Sequence, residues 1–220
     1  MAILAAAGAW AWPAAASAQP QRASVSAVFP LLGAYLTLPS ALRSLFYFAY
    51  RPVRRGRTDF NVRARLAAGG TTAPLALDRL GFVARLPTLA EIHAGAQVEF
   101  DGDPLRFQIE ARAAQAPLAR LEAAPIAAAL AQINDDAYRL LGHFNIFVPK
   151  MTSAFFPESL GGRALFPDGR SESLPLFRTG LDGPTPYFEQ AMFEGASHLA
   201  LDQAPTRITL GIPRSLNLGQ

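Results

Sequence analysis

The stretch "LRSLFYFAYRPVRRGR", residues 42–57, passes directly from a run of apolar and aromatic side chains into a run of arginines. Aromatic residues are enriched in strands because their side chains pack well on a pleated surface. Residues 45–53 are therefore predicted to form a strand whose far end meets water. A membrane anchor and a lipid-binding edge are the two other interpretations of this stretch.

A second alternating stretch follows at once. From Phe60 to Leu66, apolar residues alternate with polar ones, which is typical of a strand with one buried and one wet face. Gly56 lies in the link between the two stretches and favours a turn there. If the two strands pair as a hairpin, their guanidinium groups form one positive patch. The members of that patch are Arg51, Arg54, Arg55, Arg57, Arg63 and Arg65.

This predicted patch has two interpretations. Guanidinium groups match the geometry of phosphate and carboxylate, so the patch is a candidate binding site for an anionic ligand. The simpler interpretation is a solvated strand face whose charge keeps a sheet edge from aggregating. The sequence favours the simpler one and leaves both open.

The aromatic part of the first stretch also allows two roles. Phe46, Phe48 and Tyr50 fall on one side of the predicted strand, and Tyr47 and Ala49 on the other. Both sides are apolar, which indicates burial in a core or a position against an apolar pocket. Together with the arginines, the pocket hypothesis gives an apolar slot with a cationic mouth, suited to an acyl chain with an anionic head.

The composition limits the classes of protein to consider. Half of the 220 residues are hydrophobic and 17% are charged, so the chain can build a core and is not generally disordered. Basic residues exceed acidic ones by 20 to 17, too small a surplus to indicate a nucleic-acid partner. The chain has no cysteine, which excludes disulfides, thiol catalysis and thiolate metal sites.

The first residues are typical of a secretion signal. An apolar run from Ala2 to Trp12 is followed by Pro13 and then by small residues that end at Ala18. This pattern predicts a signal peptide over residues 1–18, cleaved near Ala18, and a periplasmic or extracellular location. A retained membrane helix is the alternative, although the run is short for a span. No transmembrane helix is predicted in the mature chain.

The predicted fold class is α+β, mainly β, with antiparallel sandwich-like strands in the first half. The predicted regions are an extended N-terminal segment (19–43), a β-sandwich-like region (44–114) and a helix with further β-hairpins (115–220). The two halves are either separate domains joined near residues 115–124 or parts of one core. Within the N-terminal segment, Tyr35–Leu38 is predicted to be extended, and Ser40 to cap a brief helical turn.

One amphipathic helix is predicted at about residues 124–141. Its apolar residues recur at steps of three and four and so share one stripe; they are Ile126, Leu130, Ile133, Ala137, Leu140 and Leu141. Pro125 suits the first helical position, and Gly142 suits the cap at the other end. Arg139 and His143 lie near that end, where the helix dipole favours positive charge.

Turn chemistry predicts three hairpins beyond the first one. Asp101–Pro104 is predicted to join strands at 97–100 and 105–111, and Pro167–Gly169 to join strands on either side of it. The last hairpin is predicted within residues 198–213. A half-turn of helix is predicted at Phe188–Phe193.

The sequence shows no metal or cofactor site, and none is predicted. The three histidines are far apart and lack the spacing of helical ligand pairs; they are His93, His143 and His198. Asp101 and Asp103 resemble the start of a calcium loop, but the later ligands are missing.

No catalytic motif is present either. Adjacent residues diverge by about 100° around a helix, so Asp135 and Asp136 are predicted to face solvent rather than to converge. The G-x-S-x-G pattern is absent, and Ser197 and His198 are expected on opposite faces of a strand. No catalytic residues are predicted.

Three functions follow from these observations. The preferred one is a secreted or periplasmic, non-catalytic binding module for an apolar, amphiphilic or anionic envelope ligand, such as a lipid or an anionic glycan. The first alternative is a structural or assembly subunit that contacts an envelope protein through an exposed sheet edge. The second is a hydrolase with an unrecognised active site.

Overall fold

The computed structural model describes residues 21–54, 57–101, 106–141, 150–179 and 183–212. Their strands are β1 (Gln21–Ser24), β2 (Phe46–Arg54), β3 (Arg57–Thr58), β4 (Ala64–Ala68), β5 (Thr71–Pro74), β6 (Gln97–Phe100), β7 (Arg106–Ala113), β8 (Arg120–Glu122), β9 (Ser153–Phe155), β10 (Gly162–Leu165), β11 (Ser171–Ser173), β12 (Leu176–Thr179), β13 (Gly183–Glu189), β14 (His198–Leu201) and β15 (Thr209–Gly211). Their helices are α1 (Val25–Val28), α2 (Leu32–Thr37), α3 (Leu89–His93) and α4 (Ala123–Leu141), with a 3₁₀ turn at Ser40–Arg43. The predicted class, α+β and mainly β, is confirmed.

The strands form three antiparallel sheets. A seven-stranded sheet has the order β12-β13-β9-β15-β7-β2-β3, and two four-stranded sheets have the orders β1-β6-β4-β5 and β11-β10-β14-β8. The strand predicted at residues 45–53 is confirmed as β2. It pairs with β7 through eight residue pairs, from Phe46 opposite Ala113 to Val53 opposite Arg106.

The predicted hairpin between residues 45–53 and 60–66 is wrong. The second stretch contributes β4, which lies between β6 and β5 in a different sheet, and strand structure begins only at Ala64. On its other edge β2 pairs with β3 through Val53 and Arg54, and with no other strand of the described ranges. Alternation determines which face of a strand is apolar, but it carries no information about the partner strand. The eight pairs with β7 are a non-local match that turn chemistry does not reveal.

Two further predicted hairpins are wrong for the same reason. The strands on either side of Asp101–Pro104 join different sheets, since β6 pairs with β1 and β4 while β7 pairs with β2 and β15. The last predicted hairpin likewise separates into β14 and β15, which belong to different sheets. Both connections are crossings between sheets. Residues 102–105 themselves lie outside the described residues.

In the C-terminal half, one predicted hairpin is confirmed and another was missed. β10 and β11 pair on either side of Pro167–Gly169, where Gly169 adopts a φ of 87°. The stretch at residues 176–189 forms a second antiparallel pair, β12 with β13. The half-turn of helix predicted at Phe188–Phe193 is wrong at its start, because Phe188 belongs to strand β13. Its ring stacks on the Phe193 ring across the turn that follows the strand.

The N-terminal segment is extended only at β1. The helices α1 and α2 follow, so the extended piece predicted at Tyr35–Leu38 is wrong. The helix places the Tyr35 ring against Phe46 and Phe48, and its hydroxyl donates to the Phe46 carbonyl at 3.0 Å. The helical turn at Ser40–Arg43 is confirmed, but Pro39 precedes it without a side-chain capping bond, so Ser40 is not its cap.

The predicted helix is confirmed as α4, and Pro125 is its third residue rather than its first. Two amide side chains tie it to neighbouring backbone. Gln132 accepts from the Leu45 amide at 2.9 Å and donates to the Ala41 carbonyl at 2.8 Å. Asn134 exchanges two bonds of 2.8 Å with the Met151 backbone. Gly142 and His143 lie outside the described residues.

Both halves of the chain contribute to one hydrophobic cluster. It contains Phe46 and Val98 from the first half, and Ile126, Leu199 and Leu210 from the second. The seven-stranded sheet also combines strands of both halves. The described residues therefore share a core across the expected boundary near residues 115–124. Within these ranges, no helix has both the length and the apolar character needed to cross a membrane.

Candidate functional site

The two faces of β2 have different surroundings. Phe46, Phe48 and Tyr50 point into the core, where their rings contact Tyr35 and Phe29. The Tyr50 hydroxyl donates to the Pro30 carbonyl at 2.6 Å, and burial raises the pKa of Tyr50. These contacts support core packing for the three predicted site aromatics, and core side chains occupy the place where the apolar slot was expected.

The opposite face of β2 carries Arg51, which is buried against the ring of Phe82. The Arg51 guanidinium carbon lies 4.9 Å from the ring centroid. A tight turn positions this ring: the Asp78 carboxylate accepts from the Phe82 amide at 2.9 Å, and Gly81 adopts a φ of 80°. The next residue, Val83, donates to the Tyr50 carbonyl at 2.8 Å. The turn is thereby fixed to β2 and places Phe82 over the outer face of the sheet.

Two more arginines surround the same ring. The guanidinium carbons of Arg112 and Arg207 lie 3.9 and 5.4 Å from the Phe82 centroid. Arg51, Arg112 and Arg207 are only 7%, 7% and 5% exposed. A cation over an aromatic face within about 6 Å is attracted by the negative potential of the ring. We call these three arginines, with Phe82 and Glu110, the arginine cluster.

Glu110 connects two of the three arginines. Its Oε1 accepts from Arg112 Nε at 2.7 Å and from Arg207 Nε at 2.8 Å, and its side chain is as buried as theirs. The five side chains of the cluster thus carry three positive charges and one negative charge. Arg112 Nη2 is buried and has no hydrogen-bond partner among the described residues. The cluster therefore presents a buried cationic donor that can bind an anion.

Adjacent strands explain why these residues meet. β15, β7 and β2 are neighbours in the seven-stranded sheet, and Arg112 lies directly opposite Tyr47 on β2 and Thr209 on β15. On β7, Phe107, Ala111 and Ala113 are buried in the core, so the alternate residues Glu110 and Arg112 share the outer face. Sequence reasoning found Arg51 and missed Arg112, Arg207 and Phe82. The spacing of Glu110 and Arg112, two apart on one strand face, was the available signal.

The remaining predicted arginines do not join Arg51. Arg63 and Arg65 are exposed beside the sheet β1-β6-β4-β5. Together with Glu99 and Asp101 they line a cleft of about 340 Å³. The hairpin that was expected to assemble the six arginines into one patch does not form, so strand pairing does not bring Arg51 beside Arg63 and Arg65. Arg54 and Arg57 are paired in the backbone of β2 and β3, and nothing is described of their side chains. Arg55 lies outside the described residues.

Comparison with known proteins adds no relative. No protein family, curated protein or solved structure matches this chain. Among the described residues there is also no group of three or more histidines and acids that could hold a metal ion. The chemistry of the site must therefore be argued from the geometry of its own residues.

The expected separation of Ser197 and His198 is wrong. His198 Nδ1 lies 3.0 Å from Ser197 Oγ. The alternation argument failed because Ser197 precedes β14 and so does not follow the pleat of the strand. Ser197 Oγ also donates to the Leu165 carbonyl at 3.2 Å. The Leu165 carbonyl and His198 therefore both lie within hydrogen-bond distance of the Ser197 hydroxyl.

Asp136 is buried, not solvent-facing as predicted. It is 1% exposed and accepts from Arg139 at 2.8 Å, whereas Asp135 is exposed. Asp136 lies three residues after Ile133 and therefore falls on the apolar stripe of α4. The divergence of the two aspartates was correctly expected, but only one of them faces water.

Proposed function

We propose that this protein is a secreted, non-catalytic binding module that takes an anionic ligand at the arginine cluster. The observation that carries the proposal is the buried, unpartnered Arg112 Nη2 among three guanidinium groups. The secreted location rests on the predicted signal peptide.

Buried positive charge supports an anionic ligand on energetic grounds. Removing a charge from water is costly unless it is paired, and arginine cannot relieve this cost by losing its proton. Within the cluster, Glu110 provides one carboxylate to Arg112 and Arg207. An added phosphate, sulfate or carboxylate would accept a hydrogen bond from Arg112 Nη2, which has no hydrogen-bond partner among the described residues. Guanidinium groups bind such oxyanions in paired, planar geometry.

The surroundings of the cluster fit an amphiphilic ligand. The arginines are too deeply buried to admit a bulky body, so the proposal places only a small anionic head beside them. Tyr47 lies opposite Arg112 on the same outer face and is 41% exposed. Leu45, two residues earlier in the chain, is also exposed. These two side chains offer apolar surface to the rest of the ligand. The ligand class is therefore an anionic head on an apolar body, as in an envelope lipid.

Binding of inorganic phosphate and of dodecyl phosphate tests the proposal. Isothermal titration and thermal unfolding should show saturable binding of both, tighter for dodecyl phosphate because its chain adds apolar contact. Arg112→Leu should abolish the response to both ligands. Arg112→Lys keeps the charge but loses the planar donor pair, and should weaken binding about tenfold, equivalent to roughly 1.4 kcal/mol.

The matched control is Arg65→Leu, which makes the same change of charge at an exposed position on β4, in the sheet β1-β6-β4-β5. Arg65→Leu should bind both ligands like the unmodified protein. Equal loss in Arg65→Leu would show that binding follows net charge, and unchanged binding in Arg112→Leu would place the site elsewhere. Either result overturns the proposal.

The two alternative functions have weaker support. For an assembly subunit, β5 is an outer strand of its sheet among the described residues, and all four of its residues are exposed. However, β5 ends in Pro74, which has no amide to offer a partner strand. For a hydrolase, the nearest arrangement is Ser197 with His198, and the Leu165 carbonyl competes with His198 for the Ser197 hydroxyl.

A further inference from the structure

A cleft of about 480 Å³ lies between α4 and the turn that follows β13, and no residue of the arginine cluster lines it. Its apolar lining comes from Leu130, Ala131, Met151 and Ala191. Three ionisable side chains also line it, Lys150, Glu189 and Glu194. A largely apolar cleft with a few convergent charged groups is the usual form of a small-molecule site.

Both walls of this cleft are held in place without a ligand. On one side, Asn134 of α4 exchanges two hydrogen bonds with the Met151 backbone. On the other side, the turn is closed by the Phe193 amide, which donates to the Glu189 carbonyl at 3.2 Å. The buried Phe193 ring stacks on Phe188 at 5.9 Å and anchors the turn in the core. A preformed cleft binds with little ordering cost.

The charged groups of the cleft are not used by the fold. None of Lys150, Glu189 and Glu194 forms an ion pair or a side-chain hydrogen bond with another described residue. Glu189 is half-buried, and Lys150 and Glu194 are exposed. A half-buried carboxylate without a partner beside apolar surface favours a cationic group from a ligand. Lys150 is the single lysine of the chain and supplies a positive charge to the same cleft.

We infer that this cleft binds a small zwitterion with an apolar body, the chemistry of a hydrophobic amino acid, either free or at the amino end of a peptide. Glu189, with Glu194 at the rim, receives the ammonium group. Lys150 pairs with the carboxylate or with a peptide carbonyl, and the apolar lining receives the side chain. The cleft shares no residue with the arginine cluster, so this inference and the proposed function succeed or fail independently.

The single lysine provides a direct probe of the cleft. Reductive methylation with ¹³C-formaldehyde keeps the charge of Lys150 and labels one lysine side chain. Titration with L-leucine or with the dipeptide Leu-Gly should shift the Lys150 resonance saturably. The tighter of the two identifies the source, a free amino acid or a peptide. N-acetyl-leucine lacks the ammonium group and should bind at least about tenfold more weakly than leucine. Leucinamide keeps an amide carbonyl but lacks the carboxylate, so it should bind more weakly than leucine if the ligand is a free amino acid, and about as well as Leu-Gly if it is a peptide.

Two variants separate the cleft from general charge effects. Glu189→Gln should weaken leucine binding at least about tenfold, and the fold should tolerate it because Glu189 has no ion pair to lose. The control Glu122→Gln changes an exposed carboxylate on β8 and should leave binding unchanged. The inference is overturned if neither leucine nor Leu-Gly shifts the resonance, if N-acetyl-leucine binds as well as leucine, or if Glu122→Gln weakens binding equally.

Discussion

Arginine side chains are buried in one of the two sheets that contain the predicted arginines and exposed in the other. In the seven-stranded sheet, Arg51 and Arg112 lie under Phe82 and are almost completely buried. In the sheet β1-β6-β4-β5, the Arg22 side chain is 64% exposed and forms a 2.7 Å ion pair with Glu99. On the other side of Glu99, its cross-strand neighbour is the exposed Arg65. In both sheets these arginines alternate with residues of the core.

The difference lies in what covers each sheet. The turn that carries Phe82 is bonded to the edge of β2 and closes over the outer face, whereas Arg22 and Arg65 remain open to water. An exposed ion pair is screened by solvent and contributes between zero and about 1 kcal/mol. A buried network holds its charges at fixed positions, and removal of one partner leaves an uncompensated charge. Three substitutions at the two sheets measure this contrast, and a fourth tests an exposed ion pair at α3; they follow from the largest expected effect to the smallest.

Glu110→Gln should cause the largest loss of stability. The substitution keeps the size of the side chain but removes the carboxylate that Arg112 and Arg207 share. Breaking a buried ion pair in this way typically costs about 3–5 kcal/mol, and urea unfolding should show a decrease of that size. Phosphate should restore more stability to this variant than to the unmodified protein. A loss below about 1 kcal/mol would mean that the cluster behaves like an exposed pair.

Phe82→Leu should rank second. Leucine keeps an apolar side chain over the sheet but removes the aromatic face that the three guanidinium groups contact. Desolvated cation–π contacts are worth about 2 kcal/mol, so the free energy of unfolding should fall by about that amount. Phe60→Leu is the control, because Phe60 is 62% exposed and has no such contact among the described residues. Equal losses in the two variants would contradict a role for the ring.

Glu91→Gln should have a smaller, pH-dependent effect. Glu91 and Thr88 form a capping box at α3, and Glu91 also pairs with the exposed Arg85 at 2.7 Å. The Thr88 amide and then Arg85 lower the pKa of Glu91 from 4.5 to about 2. A cap of this kind contributes about 1 kcal/mol at neutral pH. Because the folded-state pKa is lowered, this stability is complete above pH 4.5 and is lost as the pH falls towards 2.

Urea unfolding at two pH values checks the Glu91 prediction. The unmodified protein should exceed Glu91→Gln by about 1 kcal/mol at pH 7, and the gap should close as the pH approaches the folded-state pKa of about 2. A gap that stays constant with pH would show that the substitution acts through packing rather than through the ionised carboxylate.

Glu99→Gln should have the smallest effect. It removes the partner of the exposed Arg22, and the expected loss is about 0.5 kcal/mol. Salt should reduce even this loss, since about 1 M salt shortens the screening length to roughly 3 Å. Urea unfolding with and without salt measures it. A salt-insensitive loss above about 2 kcal/mol would remove the contrast between the two sheets.

The accuracy of the sequence predictions depended on how local the relevant interactions are. β2 and α4 were found because their residues alternate or recur along a short stretch, and each pattern follows from backbone geometry alone. The hairpin turn at Pro167–Gly169 was found for the same reason. Turn signals failed at Asp101–Pro104, because a sharp bend is equally compatible with pairing and with a crossing to another sheet.

The candidate site followed the same division. Arg51 was singled out by its place at the end of an aromatic run. Of its predicted companions, Arg65 lies on β4 in another sheet and Arg63 just before that strand. Its actual neighbours are Arg112 on β7 and Arg207, which lies just before β15, and they approach Arg51 only in the folded chain. In the sequence Arg112 is an ordinary polar position on an alternating strand, and Arg207 lies outside any strand. Both arginines are buried against Phe82, and no local sequence pattern connects Phe82 to either of them.

The sequence by itself determined that this chain is mainly β, that one amphipathic helix packs on its core, and that Phe46, Phe48 and Tyr50 share a face opposite Arg51. These properties follow from side-chain periodicity within each element. Only the tertiary structure decided which strands pair, which outward face becomes covered, and hence which arginines are buried. Pairing and covering are contacts between distant parts of the chain, and their free energy depends on surfaces that do not exist until the chain has folded.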